Sequence, residues 1–230
     1  MIFGVIVAGG IGSRMGAEIP KQYIEVGSKP IIIHTMLSFL RCKDVDKLIV
    51  LTPADWIDYT RELCDKHLDD PDKVCVISGG ATRNDTVENA LKFIDETYGL
   101  DEDTIVLTHD AVRPMVTERI IQDNIEAVRK HGACTTAIPA TDTILEAEDG
   151  FARSIPDRSR LFNVQTPQSF WAKELKETYD SLSSEERLSL TDAAKIYVMR
   201  NKPVSIVDGE VYNIKITYPS DLVLAENMLQ

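Results

Sequence analysis

No apolar run in this 230-residue chain approaches the ~20 residues that a membrane-spanning helix needs. The chain enters a strand at residue 2 with no basic stretch before it, so no secretory leader is expected. Cysteine is scarce: Cys42, Cys64, Cys75 and Cys134 form no CxxC pair, and His34, His67, His109 and His131 stand far apart. That spacing speaks against a zinc site and predicts reduced, mostly buried cysteines in a cytoplasmic protein. Positive charge is in deficit too. A net charge of -12 argues against nucleic acid or an anionic membrane as a partner. Low-complexity tracts and internal repeats are missing, and 43% hydrophobic residues suit one α/β domain spanning 1–230.

Two common nucleotide signatures are also missing. A dinucleotide fingerprint counted from Gly10-Ile11-Gly12 needs a third glycine where Met15 stands, and Gly16 comes one residue late. A P-loop needs Gly-Lys-Ser/Thr, which neither Arg14 nor Lys29 provides. What is present is an apolar strand, Ile2–Val7, running into Ala8-Gly9-Gly10-Ile11-Gly12-Ser13-Arg14-Met15-Gly16 and then Pro20-Lys21-Gln22. Small residues let backbone N–H groups close on an anion, and Arg14 and Lys21 add full charge at the same mouth. This pattern reads as a site for a nucleoside triphosphate. In so acidic a chain, the cations for such a ligand must be gathered deliberately or supplied by a metal.

Strand and helix signals alternate. Strands are expected at Ile2–Val7, Lys47–Thr52, Val74–Ser78, Thr104–Thr108, Leu161–Gln165, Val204–Asp208 and Asn213–Thr217. Helices are expected from Pro30 to about Leu40, Asp55–His67, Thr82–Tyr98, Thr117 to Gly132, Ala172–Leu182, Asp192–Met199 and from Ser220. Short β-α-β spacing gives a mostly parallel sheet covered by helices on both faces. Ligands of such sheets bind beyond the strands' carboxyl ends, which sends Gly9-Gly10, Gly79-Gly80 and His109-Asp110 to one rim. Between about 140 and 156 the pattern breaks. Thr143–Ala147 and Phe151–Ile155 flank Asp149-Gly150, a tight-hairpin signal, and so polar a hairpin is expected to project onto a second subunit.

Each remaining candidate has a plainer alternative. Gly79-Gly80 can be a simple strand-to-helix turn, Thr86 a back-bonded hydroxyl, and Arg113 a structural ion-pair partner. Asp110 ends an apolar strand, where a carboxylate serves as metal ligand or helix cap. His109 reads as scaffold. Lys215, between Ile214 and Ile216, can be a solvated edge residue. The fold rule nevertheless sends most of these positions to the same rim.

Read together, Ala-Gly-Gly-x-Gly-Ser-Arg-Met-Gly, Pro-Lys-Gln, His-Asp-Ala-Val-Arg-Pro, Gln-Thr-Pro-Gln-Ser-Phe, Thr-Asp-Ala-Ala and Asn-Ile-Lys-Ile-Thr follow one another along essentially the whole chain. The chain thereby resembles the CTP-dependent cytidylyltransferases of small polyol phosphates. The resemblance implies a Rossmann-like sheet of the nucleotide-diphospho-sugar transferase kind, with a projecting hairpin arm at about 140–156 that embraces a partner in a homodimer. It implies CTP held by Val7, Ala8, Gly9, Gly10, Gly80, Ala81, Thr86, Asp110 and Ala111. Arg14, Lys21 and Lys215 would surround the triphosphate as catalytic groups, with Asp110 near Mg²⁺ or another divalent cation. Arg113, Asp142, Thr143 and Arg158 would bind the polyol phosphate, the last three at the arm's root. Position 81 departs from relatives, which often carry an acidic residue there, and Leu145 stands where methylerythritol-phosphate enzymes often have lysine. On resemblance alone, carried by His-Asp-Ala-Val-Arg-Pro, the Leu145 departure and the closing Asn-Ile-Lys-Ile-Thr-Tyr-Pro-Ser-Asp-Leu run, the expected acceptor is ribitol 5-phosphate, giving CDP-ribitol and pyrophosphate. 2-C-methyl-D-erythritol 4-phosphate is the alternative, and a binding module without turnover is a third reading of another class.

The chemistry needs no family name. A phosphate monoester has a second pKa near ~6, so its oxygen is already an anionic nucleophile at neutral pH. No serine, cysteine or histidine base is required. Charge neutralisation is, and phosphoryl-type transfers are catalysed mainly by positioning and electrostatics.

Overall fold

The computed structural model of the chain describes residues 1–10, 19–188, 190 and 192–229. Its strands are β1 (Ile2–Val7), β2 (Glu25–Val26), β3 (Lys29–Pro30), β4 (Lys47–Thr52), β5 (Val74–Ser78) and β6 (Ile105–Asp110), then β7 (Ala133–Pro139), β8 (Glu146–Glu148), β9 (Phe151–Ser154), β10 (Phe162–Trp171) and β11 (Ser205–Asp208). The helices are α1 (Ile31–Arg41), α2 (Ile57–His67), α3 (Arg83–Tyr98) and α4 (Glu118–His131), followed by α5 (Ala172–Asp180), α6 (Ser184–Leu188), α7 (Ala193–Met199) and α8 (Pro219–Met228). The main sheet has the order β11-β7-β10-β6-β1-β4-β5. All its pairings are parallel except those of β10, which runs antiparallel to both neighbours. The expected mostly parallel α/β fold is therefore the one observed.

Two cores explain why both faces are covered. On one, Ile6, Leu48, Val50 and Leu107 meet Ile32 and Met36 of α1, Leu63 of α2 and Ile121 and Ile125 of α4. On the other, Phe3, Val5, Ile49, Leu51 and Val106 meet Val87, Leu91 and Ile94 of α3, Leu175 of α5 and Ile196 of α7. Successive strand residues are apolar because each alternates between these two buried faces. Thr82 caps α3 through a reciprocal box with Asp85, Thr117 caps α4, and Gly132 closes α4 at φ 86°. Among the described residues, no helix is long and apolar enough to cross a membrane.

Three expected strands need correction, and a fourth strand was not expected. The strand placed at Thr104–Thr108 is β6, which continues through His109 and Asp110, so Asp110 pairs in register with Val7. The strand placed at Leu161–Gln165 is β10, extending to Trp171; it stays in the sheet beyond a bulge between Val164 and Gln168, where Pro167 has no N–H to give. β7 lies outside the expected strands: among its small buried residues Ala133, Cys134 and Ala137 stands fully buried Thr136, which donates to the Pro167 carbonyl where periodicity would look for an aliphatic residue. Asn213–Thr217 is not a strand. Its backbone bonds close locally, Asn213 N–H to Glu210 and Ile214 N–H to Tyr212, while Ile216 N–H reaches Val112. Its apolar alternation is real but serves a plug: Ile216 is fully buried in a small cluster with Val26, Ile31, Val112 and Met115.

The hairpin stands where the turn signal puts it. Asp149 and Gly150 have φ of 52° and 81°, the pair of left-handed residues that a tight two-residue turn demands. β8 and β9 form their own sheet, and every residue from Thr141 to Ile155 is exposed.

Candidate active site

At the carboxyl ends of β1, β5 and β6 the chain leaves a cleft of about 390 Å³. Val7, Ala8, Gly9, Gly10, Gly80, Ala81, Thr86, Asp110 and Ala111, expected around the nucleotide, all line it, together with Lys21 and Lys215. These positions span more than 200 residues of sequence, and chain crossings over one rim bring them together. Arg14 lies outside the described residues. Gln22, Thr82, Arg83, Val112 and Thr217 also line the cleft.

Lys21 owes its position to its neighbours. It opens a single 3₁₀ turn, Lys21–Tyr23, and all three residues are buried. The Gln22 amide donates to the Ala8 carbonyl at 2.6 Å, and the Tyr23 hydroxyl bonds Thr52 and Thr60 while its ring stacks on Trp56. With the two residues that follow it fastened, the lysine is held at the rim, and its Nζ donates to the Ile216 carbonyl at 2.9 Å. Sequence reasoning gave Gln22 no role. Its place in Pro-Lys-Gln was the available signal.

The opposite wall is a tight turn. Thr86 Oγ1 donates to the Thr82 carbonyl at 2.7 Å and accepts the Gly80 N–H at 3.0 Å, so it closes the loop that precedes α3. A Cβ on Gly80 would stand 2.4 Å from Asp85 Cβ and 2.9 Å from the Thr86 nitrogen, inside the first turn of α3. Gly80→Ala is expected to cost about 2 kcal/mol, roughly 4–8 °C in Tm, and to raise the KM for CTP. Gly79→Ala, whose Cβ would meet the Thr86 hydroxyl at 3.3 Å, should be milder. Thermal unfolding and steady-state kinetics of the pair check this, and equal, wild-type-like behaviour would remove the close approach as the reason for glycine.

Asp110 sits between three cations. Arg83 Nε lies 3.4 Å from Oδ1, while Arg113 Nε at 3.3 Å and Lys215 Nζ at 3.0 Å share Oδ2. Burial alone would raise its pKa, but Arg83, Lys215 and Arg113 outweigh burial and hold the carboxyl well below the usual carboxylate range. Burial pulls Arg113 down against the opposing pull of Asp110, and a guanidinium keeps its charge through such a shift. His109 is fully buried beneath the cleft and does not line it. Burial lowers its pKa to about 4, so the ring is neutral near pH 7. Its Nε2 faces the Arg113 carbonyl at 3.1 Å, so Nε2 carries the proton and Nδ1 accepts from the Thr166 hydroxyl at 2.9 Å.

Arg113, Asp142, Thr143 and Arg158 are not among the residues lining the cleft. Arg113 points its guanidinium at Asp110 and the Asn213 carbonyl. Asp142, Thr143 and Arg158 are exposed at the root of the arm, where Arg158 donates to the Thr141 carbonyl at 2.8 Å.

Three cations and one carboxylate therefore line a cleft edged by glycine-rich backbone, in a chain whose net charge is -12. Such a rim at the strand ends of an α/β sheet suits an enzyme that handles nucleotides. A sequence model of the family "IspD: 2-C-methyl-D-erythritol 4-phosphate cytidylyltransferase" matches residues 2–230, and the chain belongs to that family, which makes it a nucleotidyltransferase. It is similar, at 30% identity and TM-score 0.81, to 4-diphosphocytidyl-2C-methyl-D-erythritol synthase of Anaerococcus prevotii, with 100% of this chain and 96% of that one covered. The 2-C-methyl-D-erythritol 4-phosphate cytidylyltransferase of Francisella tularensis gives 29% and 0.81, covering 100% and 99%, and that of Thermus thermophilus 26% and 0.75, covering 98% and 97%.

These matches overturn ribitol 5-phosphate as the expected acceptor, since the family and each of these structures carry the methylerythritol name. The physical reason for the error is visible. Two of the residues behind that expectation do not line the cleft: His109 is buried beneath it, and Leu145 is exposed on the arm.

Proposed function

We propose that this protein transfers CMP from CTP to 2-C-methyl-D-erythritol 4-phosphate, releasing pyrophosphate. The observation that carries the reading is the convergence of Lys21 and Lys215 beside Asp110 in one cleft of a chain matched end to end by that family. The backbone around Gly9-Gly10 and Gly80-Ala81 receives cytosine and ribose. The acceptor's phosphate oxygen, already anionic, attacks the α-phosphorus of CTP while pyrophosphate departs in line. Lys21, Lys215 and Arg14 neutralise the charge that spreads over the phosphate oxygens, so no general base takes part.

A divalent ion such as Mg²⁺ fits this donor set in one way only. Mg²⁺ is bound by one or two carboxylates plus substrate phosphates and water, and among the described residues Asp110 is the one carboxylate lining the cleft. Among the described residues no three His, Cys, Asp or Glu side chains group as a cage. Asp110 would hold the ion together with phosphate oxygens, where it supplies further charge neutralisation.

Incubating the protein with CTP, Mg²⁺ and each polyol phosphate, and following pyrophosphate release, tests the reading. Turnover is expected to be fastest with methylerythritol 4-phosphate. Faster turnover with ribitol 5-phosphate would sink it.

The arm at about 140–156 is read as a dimerisation element, with Asp142, Thr143 and Arg158 serving the acceptor site of a second copy. Its support is the exposed apolar set Leu145, Phe151 and Ile155, the last two at 70% and 66%, on a two-stranded hairpin that is at best marginal alone. Sedimentation is expected to report a dimer, and Phe151→Glu with Ile155→Glu a monomer of reduced activity. A fully active monomer of the unaltered chain would rule the arm's role out.

A further inference from the structure

We propose that Asn213 is a positioning residue for Lys215, acting through a closed circuit of buried hydrogen bonds that ties the 213–217 loop to the end of β6. The proposal rests on Lys215 facing the phosphates, as read above.

Lys215 needs such a device. Its side chain is 41% exposed and ends in a flexible four-carbon stem. Its loop belongs to no sheet, so no ladder fixes it. Asn213, two residues earlier, is fully buried. Both Nδ2 protons are used, on Gln165 Oε1 at 3.2 Å and on the Thr166 carbonyl at 3.0 Å. Its carbonyl accepts from Arg113 Nη1 at 2.8 Å, and Arg113 Nε reaches Asp110 Oδ2, the same oxygen that holds Lys215.

The circuit closes on the far side. Thr166 Oγ1 accepts the Asp110 N–H at 3.2 Å and donates to His109, whose Nε2–H donates to the Arg113 carbonyl. The backbone that carries Lys215 and the carboxylate that receives it are thus fastened to one another through Asn213, Arg113, Thr166 and His109. There is little slack for a substitute. Gln165 is hemmed in by Gly209, where a Cβ would meet Oε1 at 2.4 Å. The position demands a short side chain with two donors. Aspartate has none, and an apolar residue would strand the Thr166 carbonyl and leave Gln165 Oε1 only the Glu210 N–H at 3.4 Å. Asn213 Oδ1 has no partner among the described residues, so donation rather than full satisfaction is what selects the amide.

Asn213→Ala and Asn213→Ser, each alone and combined with Lys215→Ala, test the proposal through kcat, both KM values and CTP binding by calorimetry. A displacement of a charge by about 1 Å can cost about 100-fold in rate. Each single variant is expected to lose about 10–100-fold in kcat, with CTP affinity within about threefold of wild type. On the Lys215→Ala background the same substitution should change kcat by less than about twofold, because its effect passes through a lysine already removed. A purely structural role would lower kcat by the same factor in both backgrounds. That result, with Lys215→Ala itself impaired, would overturn the proposal while sparing the role of Lys215. Unchanged kcat in both Asn213 variants would overturn it too. Full kcat in Lys215→Ala would remove the role of Lys215 and this proposal with it. Should the alanine variant fail to fold, the serine variant, which keeps a donor, completes the same cycle.

Discussion

Lys21→Ala is expected to lower kcat by about 10²–10³-fold, about 2.7–4 kcal/mol of transition-state stabilisation, while CTP affinity changes far less. The argument is geometric before it is electrostatic. Lys21 is 8% exposed, fixed by the anchored Gln22 and Tyr23 that follow it, and its Nζ stands 2.9 Å from the Ile216 carbonyl. A cation held that firmly reorganises little as charge builds on the phosphate oxygens. In the ground state the triphosphate is already solvated and shared among several donors, so one lysine matters less to binding. Lys215→Ala should show the same split. Steady-state and single-turnover kinetics with CTP and methylerythritol 4-phosphate, together with calorimetric CTP binding, decide it. Unchanged turnover in both variants would contradict the mechanism, whereas a large loss of affinity at constant kcat would reduce these lysines to anchors.

Asp110→Asn is expected to destabilise the fold by about 3 kcal/mol, or roughly 6–12 °C in Tm. Two effects compete. Removing a buried charge relieves its desolvation, which favours the variant. Against that, Arg83, Arg113 and Lys215 all lose their counter-charge within 3.0–3.4 Å, with Arg113 only 11% exposed. Three uncompensated cations outweigh one desolvated carboxylate, the direction in which the lowered pKa of Asp110 also points.

The pH dependence follows from the sign of that shift. A carboxyl whose folded pKa lies below its unfolded value contributes fully above about 3.9 and loses its contribution as pH falls towards the folded value. The Tm gap between wild type and Asp110→Asn should therefore stay constant from about pH 7 to 5 and narrow only in strong acid. Differential scanning calorimetry across that range reads it directly. A gap that is absent at neutral pH would show that the cations find other partners.

Much of the architecture can be read from local pattern. The strands β1, β4 and β5 announce themselves as short aliphatic runs because both faces of a covered parallel sheet are buried. Thr82 and Thr117 mark helix starts, and Asp149-Gly150 marks the hairpin, because a cap or a left-handed turn is decided within a few residues. The glycines beside Val7 and after Ser78 are legible for the same reason, together with the rule that strand ends face the ligand.

What the sequence could not supply is long-range. Nothing local distinguishes the parallel strands from β10, whose antiparallel place depends on which neighbours remain once β6 and β7 have been laid down. The alternation Ile214-Lys215-Ile216 looks like a strand. It becomes a plug because Ile216 finds an apolar pocket under Val112 and Met115, and burying one such side chain is worth about 1.5–3 kcal/mol. The ring of Asp110, Arg83, Arg113 and Lys215 is likewise invisible along the chain, since its members meet only when three separate crossings converge on one rim.

By itself, then, the order of residues determined an α/β sheet, its caps and turns, and the glycine-rich turns that edge the cleft, because these depend on neighbours a few positions away. Only the tertiary structure decided which cations share one carboxylate and which loop carries Lys215 to the cleft. Charge acts through space, and the distances that set it belong to the folded chain.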